Sequence, residues 1–303
     1  MRIGYIGLGK MGKNMVMNMI DHQHEVIAWN RSPAPLEEVC AYGASKADSI
    51  TDLVSHLPSP RTIWMMLPAG EVTEDMLFGS YRLVDQLSPG DILIDGANSH
   101  FHDTMKRAKM CAERGIYFLD VGTSGGPYGA RHGACLMIGG DRRVYESLIP
   151  LFASLSAPDG FLYIGPSGSG HYVKMVHNAI EYGFMQSIGE GFDMLQHGPL
   201  GKLPLGQIAR VWNHGSVIES KLMLLAETVF AEYGDLSSIV GYVEDNGETQ
   251  WTVETALQYK IPLTTLAHAL FARYASRRED SFAMKVVAAL RHQFGGHSIK
   301  EKR

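Results

Sequence analysis

Short apolar runs alternate with longer amphipathic stretches over the first half of the chain. The apolar runs predict strands at residues 2–6, 25–29, 62–67, 91–95, 135–138 and 161–164, and a further strand that closes in segment 120–127. Apolar residues at helical spacing predict helices at residues 13–21, 49–57, 102–114 and 142–153. Strands that alternate with helices favour an α/β fold with a parallel, doubly wound sheet.

Strand-like runs disappear after His171, and long helical patterns continue from there to the end of the chain. A cluster of glycine, proline and serine at residues 165–170 separates the two regions. The pattern therefore predicts two domains, an α/β domain over residues 1–165 and an all-α domain over residues 166–303.

The first predicted strand is followed at once by a glycine motif and then by a helix. The first glycine of such a motif permits a tight turn, the second lets the backbone approach a pyrophosphate, and the third lets helix and strand pack together. The helix N-terminus adds open amides and the positive end of a dipole. The position of the motif predicts a Rossmann-type dinucleotide-binding domain, with cofactor contacts at Gly7, Leu8, Gly9, Met11 and Gly12.

The residues at the end of the second strand indicate whether the dinucleotide is NAD or NADP. Folds selective for NAD usually carry Asp or Glu there to bind the ribose 2′-hydroxyl. This chain carries Asn30, Arg31 and Ser32 instead. Because a guanidinium suits a 2′-phosphate and can stack on adenine, we expect NADP, with NAD as the alternative. An ordinary exposed arginine is the other interpretation of Arg31.

Three loops follow later strands at the carboxyl edge of the predicted sheet, where ligands bind in folds of this kind. The turn Leu67-Pro68-Ala69 is expected to line the cofactor. Asn98 offers an amide to the nicotinamide ribose or to a substrate hydroxyl. The segment Ser124-Gly125-Gly126 offers a hydroxyl and unshielded backbone amides, which are the groups that hold a carboxylate. Each could be a plain turn, and their shared edge favours a binding site.

Residues 171–195 contain no proline and predict one long helix. At about 100° per residue, one face gathers five polar side chains of different chemistry. They are Lys174, His177, Asn178, Glu181 and Tyr182. The stripe is either an ordinary wet surface or the lining of a polar site. Flanking glycines leave this face open to close approach, which favours the site.

Composition and charge exclude several classes of function. With 45% apolar and 19% charged residues, the chain of 303 residues is typical of a soluble globular protein. A net charge of −5 gives no general basic surface for nucleic acid. No apolar run reaches the ~18 residues of a membrane span. Cys40, Cys111 and Cys135 lack disulfide or zinc spacing. We therefore expect a cytoplasmic protein with no metal site and no nucleic-acid or membrane partner.

Because the chain as a whole is acidic, a few local cations must hold any anionic substrate. Arg273 follows an apolar segment, and Arg291 and His297 flank Phe294-Gly295-Gly296 near the C-terminus. These cations and glycines would be of no use in a core, whereas arginine binds phosphate through paired hydrogen bonds. The alternative of a disordered tail suits residues 298–303 better than this segment.

Together these motifs resemble the decarboxylating 6-phosphogluconate dehydrogenase family, in its short branch, over nearly the whole chain. The resemblance rests on the glycine motif, Asp95-Gly96-Ala97-Asn98-Ser99, Thr123-Ser124-Gly125-Gly126, segments 170–178 and 180–183, and Arg291 with Phe294-Gly295-Gly296-His297. The lysine-bearing helix with its glutamate is the most specific of these features.

The resemblance implies a reaction and a role for each residue. The reaction would be oxidative decarboxylation of 6-phosphogluconate to ribulose 5-phosphate and CO2, with reduction of NADP or NAD, in the pentose phosphate pathway and gluconate utilization. Lys174 would be the general base and Glu181 the general acid. The sugar acid would contact Asn98, Ser124, Gly125, Gly126, His177 and Asn178. Its phosphate would contact Tyr182, Arg273 and Arg291, and its distal end would contact His297.

The resemblance also implies an oligomer, because Arg291 and His297 would come from a neighbouring subunit whose C-terminal tail completes the site. We therefore expect a homodimer or a homotetramer.

Lys174 and Glu181 are two helical turns apart, about 10 Å of rise, so that they could act on opposite ends of a short sugar fragment.

The chain departs from the family pattern at two positions. Gln250 precedes Trp251 where the family carries a basic residue, and Ala179 stands where glycine is more usual.

Two other functions stay open. A non-decarboxylating β-hydroxyacid dehydrogenase of the 3-hydroxyisobutyrate type would need neither Glu181 as an acid nor cations for a phosphate. A cofactor-sensing binding protein would need no catalytic group at all.

Overall fold

The computed structural model describes residues 1–300. Eight strands in the first half of the chain form one sheet. They are β1 Arg2–Ile6, β2 Glu25–Trp29, β3 Ser45–Lys46, β4 Thr62–Met65, β5 Ile92–Asp95, β6 Tyr117–Ser124, β7 Ala134–Gly139 and β8 Ser156–Gly165. Every predicted strand is present, although β8 begins well before residue 161. The short β3 was not predicted, because its two exposed residues form no apolar pattern.

The strand order is β3-β2-β1-β4-β5-β6-β7-β8, and all neighbours are parallel except β6 and β7. The winding reverses between β1 and β4, where a doubly wound sheet opens a crevice at the carboxyl ends of its strands. The predicted α/β class is confirmed. The sheet differs from a fully parallel one at β7, because residues 125–133 are too few for the crossover of about a dozen residues that a parallel connection needs.

Helices connect the strands on both sides of the sheet. They are α1 Lys10–Asp21, α2 Pro33–Tyr42, α3 Ile50–Ser55, α4 Glu71–Leu77, α5 Phe101–Ala112, α6 Gly126–His132, α7 Arg142–Ser147 and α8 Ile149–Leu155, with a 3₁₀ turn at Leu83–Gln86. Two helices, α7 and α8, replace the single helix predicted at residues 142–153. Pro150 in the first turn of α8 has no N–H to continue a helix, so the chain breaks there.

Alternate strand residues enter two hydrophobic cores, one on each face of the sheet. Tyr5 and Trp64 face the core that α1 and α8 complete, and their neighbours Ile6 and Met65 face the core that α3 completes. Strand side chains alternate with a period of two, so the continuous apolar runs of β1 and β4 fill both cores.

The second half of the chain is helical, as predicted. Its helices are α9 Ser169–His197, α10 Leu205–Trp212, α11 Lys221–Tyr233, α12 Glu248–Tyr259, α13 Thr264–Ser276 and α14 Phe282–Gly295. None of the helices within residues 1–300 combines the length and the apolar character needed to cross a lipid bilayer.

The chain divides into two compact units, Met1–Asn178 and the residues from Ala179 onward. The division falls inside α9, so residues 169–178 of that helix belong to the first unit. In the second unit, Tyr182 packs against α13, and Phe192 packs against α10 and α11. The assignment of residues 1–165 and 166–303 to separate domains stays a prediction.

Asp120 of β6 fixes the start of α9 within the first unit. Its side chain is fully buried, and its two carboxylate oxygens accept hydrogen bonds from the backbone N–H groups of Gly168, at 2.7 Å, and His171, at 2.9 Å. The carboxylate thus satisfies donors that a helix start leaves open, at the positive end of the helix dipole. A Cβ atom on Gly139 would lie 2.6 Å from Asp120 Oδ1, so this approach requires glycine.

We expect Asp120→Ala to lower the free energy of unfolding by about 2–4 kcal/mol, because it removes two buried hydrogen bonds to a charged group. Asp141→Ala is the matched control. Asp141 also caps a helix, α7, through two backbone N–H groups, but its side chain is 33% exposed. The control should cost about 1 kcal/mol. Urea unfolding followed by circular dichroism measures both losses, and equal losses would contradict the role given to Asp120.

Candidate active site

The glycine motif forms the turn between β1 and α1. Gly7 has a φ of +99°, which side chains rarely adopt, and a Cβ atom there would lie 2.4 Å from the backbone oxygen of Met66. A Cβ atom on Gly12 would lie 2.1 Å from the backbone oxygen of Gly7. By contrast, no atom lies within 4 Å of the position that a Cβ atom on Gly9 would take. The turn therefore presents bare backbone at the N-terminus of α1, as a pyrophosphate requires.

A cavity of about 410 Å³ opens beside this turn in the first unit, and this volume is typical of a small-molecule site. Trp29 and Tyr81 form part of its wall, with ring centres 5.1 Å apart. Of the predicted cofactor contacts, the lining includes Gly7, Leu8, Gly9, Asn30, Arg31, Ser32, Leu67 and Pro68. Ala69 is exposed in the same loop as Pro68, and Met11 and Gly12 lie in the first turn of α1.

Asn30 shapes this cavity through bonds within the chain. Its Oδ1 accepts the N–H of Leu8 at 2.9 Å, and its Nδ2 donates to the backbone oxygen of Ser32 at 2.8 Å. The side-chain amide therefore ties the end of β2 to the glycine turn. The exposed Arg31 and Ser32 are left as the groups of this segment that can offer donors to a ribose phosphate.

Lys174 is the centre of a second polar cluster in the first unit. The residue is 6% exposed, and its Nζ donates a hydrogen bond to Oδ1 of Asn178 at 2.6 Å. Nδ1 of His177 lies 3.4 Å from that amine and 3.1 Å from the same oxygen of Asn178. Nε2 of His177 lies 3.2 Å from the hydroxyl of Ser124, at the end of β6. The structure thus brings together an amine, an imidazole, an amide and a hydroxyl that the sequence supplies from two distant segments.

The strand β6 and the helix α9 approach most closely at Gly122. A Cβ atom on Gly122 would lie 2.4 Å from Cβ of Lys174 and 2.9 Å from the backbone oxygen of Gly170. Beyond Ser124, Gly125 and Gly126 adopt φ values of +119° and +61° and lead into α6. The predicted carboxylate loop therefore adjoins the lysine cluster.

Asn98 is exposed in the loop after β5, between the buried Ala97 and Ser99. The carboxylate of Asp95 holds this loop, because it accepts the N–H of Ala97 at 3.1 Å and the hydroxyl of Ser99 at 2.8 Å. In the parallel pair β5 and β6, Asp95 lies opposite Asp120, so the loops that follow the two strands leave the same edge of the sheet.

The second unit brings Tyr182 and Arg273 into contact. The guanidinium carbon of Arg273 lies 3.3 Å from the centre of the Tyr182 ring, and its Nη1 donates to the backbone oxygen of Glu244 at 2.9 Å. The hydroxyl oxygen of Tyr182 accepts the N–H of Asn246 at 3.2 Å. Burial raises the pKa of Tyr182, against smaller opposing effects of that hydrogen bond and of Arg273. The phenol therefore stays protonated and keeps its own hydrogen for a ligand.

Three further predicted site residues belong to the second unit: Glu181, which directly precedes Tyr182, and Arg291 and His297 near the C-terminus. Glu181 is half-buried on α9. Arg291 is exposed on α14, and His297 is exposed just beyond it. Gln250 is held by Glu254, to which it donates at 2.8 Å, and by the hydroxyl of Tyr274, from which it accepts at 3.3 Å. Contacts of Glu181, Arg291 and His297 with a substrate stay predictions.

The sequence analysis assigned no role in the site to the residues that support these clusters. They are Asp95, Arg107, Asp120, Gly122 and His171. Two signals were present in the sequence, since Asp95 and Asp120 each follow an apolar run directly. An aspartate in such a place usually marks the end of a strand, and only the structure shows that these carboxylates turn inward.

Two family models match nearly the whole chain. Residues 2–165 match the NAD binding domain of 6-phosphogluconate dehydrogenase, and residues 170–302 match the 6-phosphogluconate dehydrogenase C-terminal domain. The expected nicotinamide dinucleotide is therefore confirmed as the cofactor class.

Two relatives of the same length and one longer relative support this match. A Bacillus subtilis protein provisionally named as the 6-phosphogluconate dehydrogenase YqeC is 45% identical over 100% of both chains. The NAD(+)-dependent, decarboxylating 6-phosphogluconate dehydrogenase of Haloferax volcanii is 41% identical over 100% of this chain and 99% of its own. The decarboxylating enzyme of Haemophilus influenzae is 37% identical over 92% of this chain, which spans 60% of that enzyme. The predicted resemblance to the short branch is confirmed.

Solved structures agree in fold. The 6-phosphogluconate dehydrogenase of Plasmodium falciparum, solved in its apo form, with NADP+ and with 6-phosphogluconate, has a TM-score of 0.84 and 29% identity over 100% of this chain and 66% of its own. A 3-hydroxyisobutyrate dehydrogenase of Mycobacterium tuberculosis has a TM-score of 0.70 over 96% of this chain and 99% of its own. At 19% identity, this second likeness shows the fold alone.

We expect Gly122→Ala to lower kcat for dinucleotide reduction by about 100-fold or more, because the added methyl group must displace Lys174 or the strand beneath it. Dinucleotide affinity, measured by calorimetry, should stay unchanged. Gly191→Ala in α9, the helix that carries Lys174, is the control, since no atom lies within 4 Å of its added Cβ. That variant should keep its kcat and gain up to about 1 kcal/mol of stability. An unaltered kcat in Gly122→Ala would show that the close approach is not needed.

Proposed function

The chain belongs to the 6-phosphogluconate dehydrogenase family, and we propose that it oxidatively decarboxylates 6-phosphogluconate to ribulose 5-phosphate and CO2 while reducing NADP. The observation that carries the proposal is the buried amine of Lys174, hydrogen-bonded to Asn178 and close to His177, at a strand whose end carries Ser124. This cluster and the dinucleotide cavity belong to the same compact unit.

The bare turn at residues 7–12 would hold the pyrophosphate, and Arg31 with Ser32 would hold a 2′-phosphate. The open position at Gly9 and the crowded positions at Gly7 and Gly12 support the assignment of the pyrophosphate to this turn. NADP is therefore the proposed cofactor, with NAD as the alternative. When bound, the oxidised nicotinamide supplies the acceptor for a hydride.

Lys174 acts as a neutral amine and takes the proton of the substrate C3 hydroxyl as a hydride leaves C3. The C3–H and O–H bonds break, a carbonyl forms at C3, and the product is a β-keto acid. Lys174, now charged, donates its proton to the C3 oxygen while the C1–C2 bond breaks and CO2 leaves. The electrons of that bond form the C2–C3 double bond of an enediol.

Glu181 completes the reaction as a general acid. It donates a proton to the former C2, which becomes C1 of the pentulose, while Lys174 takes back the enol proton as the ketone forms. Asn98, Ser124, Gly125, Gly126, His177 and Asn178 bind the carboxylate and hydroxyls of the sugar acid. Tyr182 and Arg273 bind the phosphate. Their contact with each other supports this assignment, and because burial raises the pKa of Tyr182, its hydroxyl keeps a hydrogen to donate to the phosphate.

Arg291 and His297 reach the phosphate and the distal end of the substrate in a neighbouring subunit of a homodimer or homotetramer. The single chain leaves every described side chain of α14 exposed, including the apolar Phe282, Met284 and Leu290. Exposed apolar surface of this kind is typical of an interface, which supports the proposal. The enzyme would act in the cytoplasm, where its three free cysteines stay reduced.

Incubation of the purified protein with 6-phosphogluconate and NADP, and separately with NAD, tests this function. Reduced dinucleotide and CO2 should appear in equal amounts. Dinucleotide reduction without CO2 would instead indicate a β-hydroxyacid dehydrogenase of the 3-hydroxyisobutyrate type. Dinucleotide binding without any reduction would indicate a cofactor-sensing protein.

We expect Lys174→Met to lower the rates of both dinucleotide reduction and CO2 release by about 10²–10⁴-fold, because one amine serves both steps. Lys109→Met, which removes an exposed amine from α5, should leave both rates unchanged. Stopped-flow absorbance of the reduced nicotinamide measures the first step, and a coupled CO2 assay measures the second. A Lys174→Met rate within about tenfold of the unaltered enzyme, ~1.4 kcal/mol of barrier, would remove Lys174 from the mechanism.

We expect Glu181→Gln to slow pentulose release more than dinucleotide reduction, because the carboxyl group acts only after CO2 has left. Glu190→Gln, an exposed position on the same helix, is the control and should change neither rate. Quenched-flow analysis compares the dinucleotide reduced in the first turnover with the ribulose 5-phosphate released. An equal loss in both measurements would mean that Glu181 has no separate role as the acid.

A further inference from the structure

A buried arginine joins the wall of the dinucleotide cavity to the loop that carries Asn98. Arg107 of α5 is 1% exposed, and its Nε donates to Oε1 of Glu74 at 2.7 Å. Its Nη2 donates to the backbone oxygen of Gly70 at 3.5 Å, and its Nη1 lies 3.5 Å from Oδ2 of Asp95. One guanidinium therefore makes three contacts, with two other segments of the first unit.

Two of these contacts reach the cavity wall. Gly70 is the N-cap residue directly before α4, and Glu74 lies one turn into that helix. The helix α4 lines the dinucleotide cavity through Glu71, Val72, Asp75 and Met76. Arg107 thus contacts the first turn of α4 through residues that do not themselves line the cavity.

The third contact, with Asp95, lies beside the loop that carries the predicted substrate residue Asn98. Asp95 is 1% exposed, and its carboxylate holds the loop around Asn98 through the N–H of Ala97 and the hydroxyl of Ser99. The backbone oxygen of Asp95 lies 3.2 Å from Nε2 of His171, which is on α9 three residues before Lys174. Through Asp95, Arg107 is therefore linked to the loop that carries Asn98 and to the start of α9, which carries Lys174.

The bridge to Asp95 is incomplete. Nη1 of Arg107 is buried and has no hydrogen-bond partner, although it forms an ion pair with Asp95 at 3.5 Å. A buried donor without an acceptor is costly, so the ion pair with Asp95 is the interaction that offsets the burial of Nη1.

We propose that Arg107 is a positioning residue that holds α4 and the Asn98 loop in one arrangement, so that tight binding of both dinucleotide and sugar acid depends on it. Arg107 itself touches neither ligand. The part of the proposal that concerns the sugar acid rests on the proposed function, whereas the part that concerns the dinucleotide does not.

Calorimetric titration with NADPH tests the dinucleotide part without any turnover. In Arg107→Met the Kd for NADPH should rise about tenfold, which corresponds to ~1.4 kcal/mol. The KM for 6-phosphogluconate should rise by a similar factor, with a smaller change in kcat. Arg107→Lys keeps the charge but not the three-way fork, so it should recover only part of the affinity.

Arg61→Met is the matched control. Arg61 pairs with a fully buried aspartate, Asp91, at 2.9 Å, but both residues directly precede their strands, at the opposite edge of the sheet. Both methionine variants should lose thermal stability, and the titrations are made at a temperature where circular dichroism shows both to be folded. The control should keep its Kd for NADPH and its KM.

An equal rise of the NADPH Kd in both methionine variants, or no rise in Arg107→Met, would overturn the proposal. If Arg107→Met does not fold, Glu74→Met decides, because the Glu74 side chain is 48% exposed and the change removes the acceptor of the Arg107 Nε–H while the Arg107 contact with Asp95 stays in place. That variant should weaken NADPH binding and leave the KM for 6-phosphogluconate unchanged, and an unchanged NADPH Kd would overturn the proposal. Failure of the unaltered protein to oxidise 6-phosphogluconate would reject the proposed function alone, since the NADPH titrations stand without it.

Discussion

The hydrogen bonds from the start of α9 to the buried carboxylate of Asp120 are the constraint on which the lysine cluster depends. The carboxylate binds two backbone N–H groups, of Gly168 and His171, and so fixes both the position and the direction of the helix against β6. Lys174 follows within one turn, which places its Cβ directly over Gly122. A helix free to slide or rotate here could not keep an amine at one point of the sheet edge.

Buried polar groups carry much of the organisation of the first unit. Asp95 and Asp120 lie opposite each other on adjacent strands, and each turns its carboxylate inward to hold the segment that carries a predicted substrate group. Burial of such groups is favourable only when their hydrogen bonds are satisfied, so each of them specifies one local arrangement of the chain. The apolar cores on the two faces of the sheet supply stability, and these carboxylates fix the positions of the Asn98 loop and of the start of α9 at the carboxyl edge of the sheet.

The candidate site was predictable to different degrees in its different parts. The glycine turn could be predicted well, because its three glycines answer local needs of a strand-to-helix turn. The polar stripe of α9 could be predicted from helical periodicity, since Lys174, His177 and Asn178 are close in the chain. The contact of His177 with Ser124 could not, because 53 residues separate them and no local rule sets their distance. For Asn30, the sequence indicated a ligand contact, whereas both ends of its amide bind the chain itself.

By itself, the sequence determined the doubly wound α/β class, the helical second half, the dinucleotide turn and the family, because each of these depends on periodicity or on residues that are adjacent in the chain. Only the tertiary structure decided that β7 runs antiparallel, that Gly122 makes room for Lys174, and that Arg107 contacts both α4 and Asp95. These features depend on which distant segments meet, on where each strand ends and on whether a charged group finds a partner when it is buried. Such conditions are properties of the packed chain, and residue patterns do not record them.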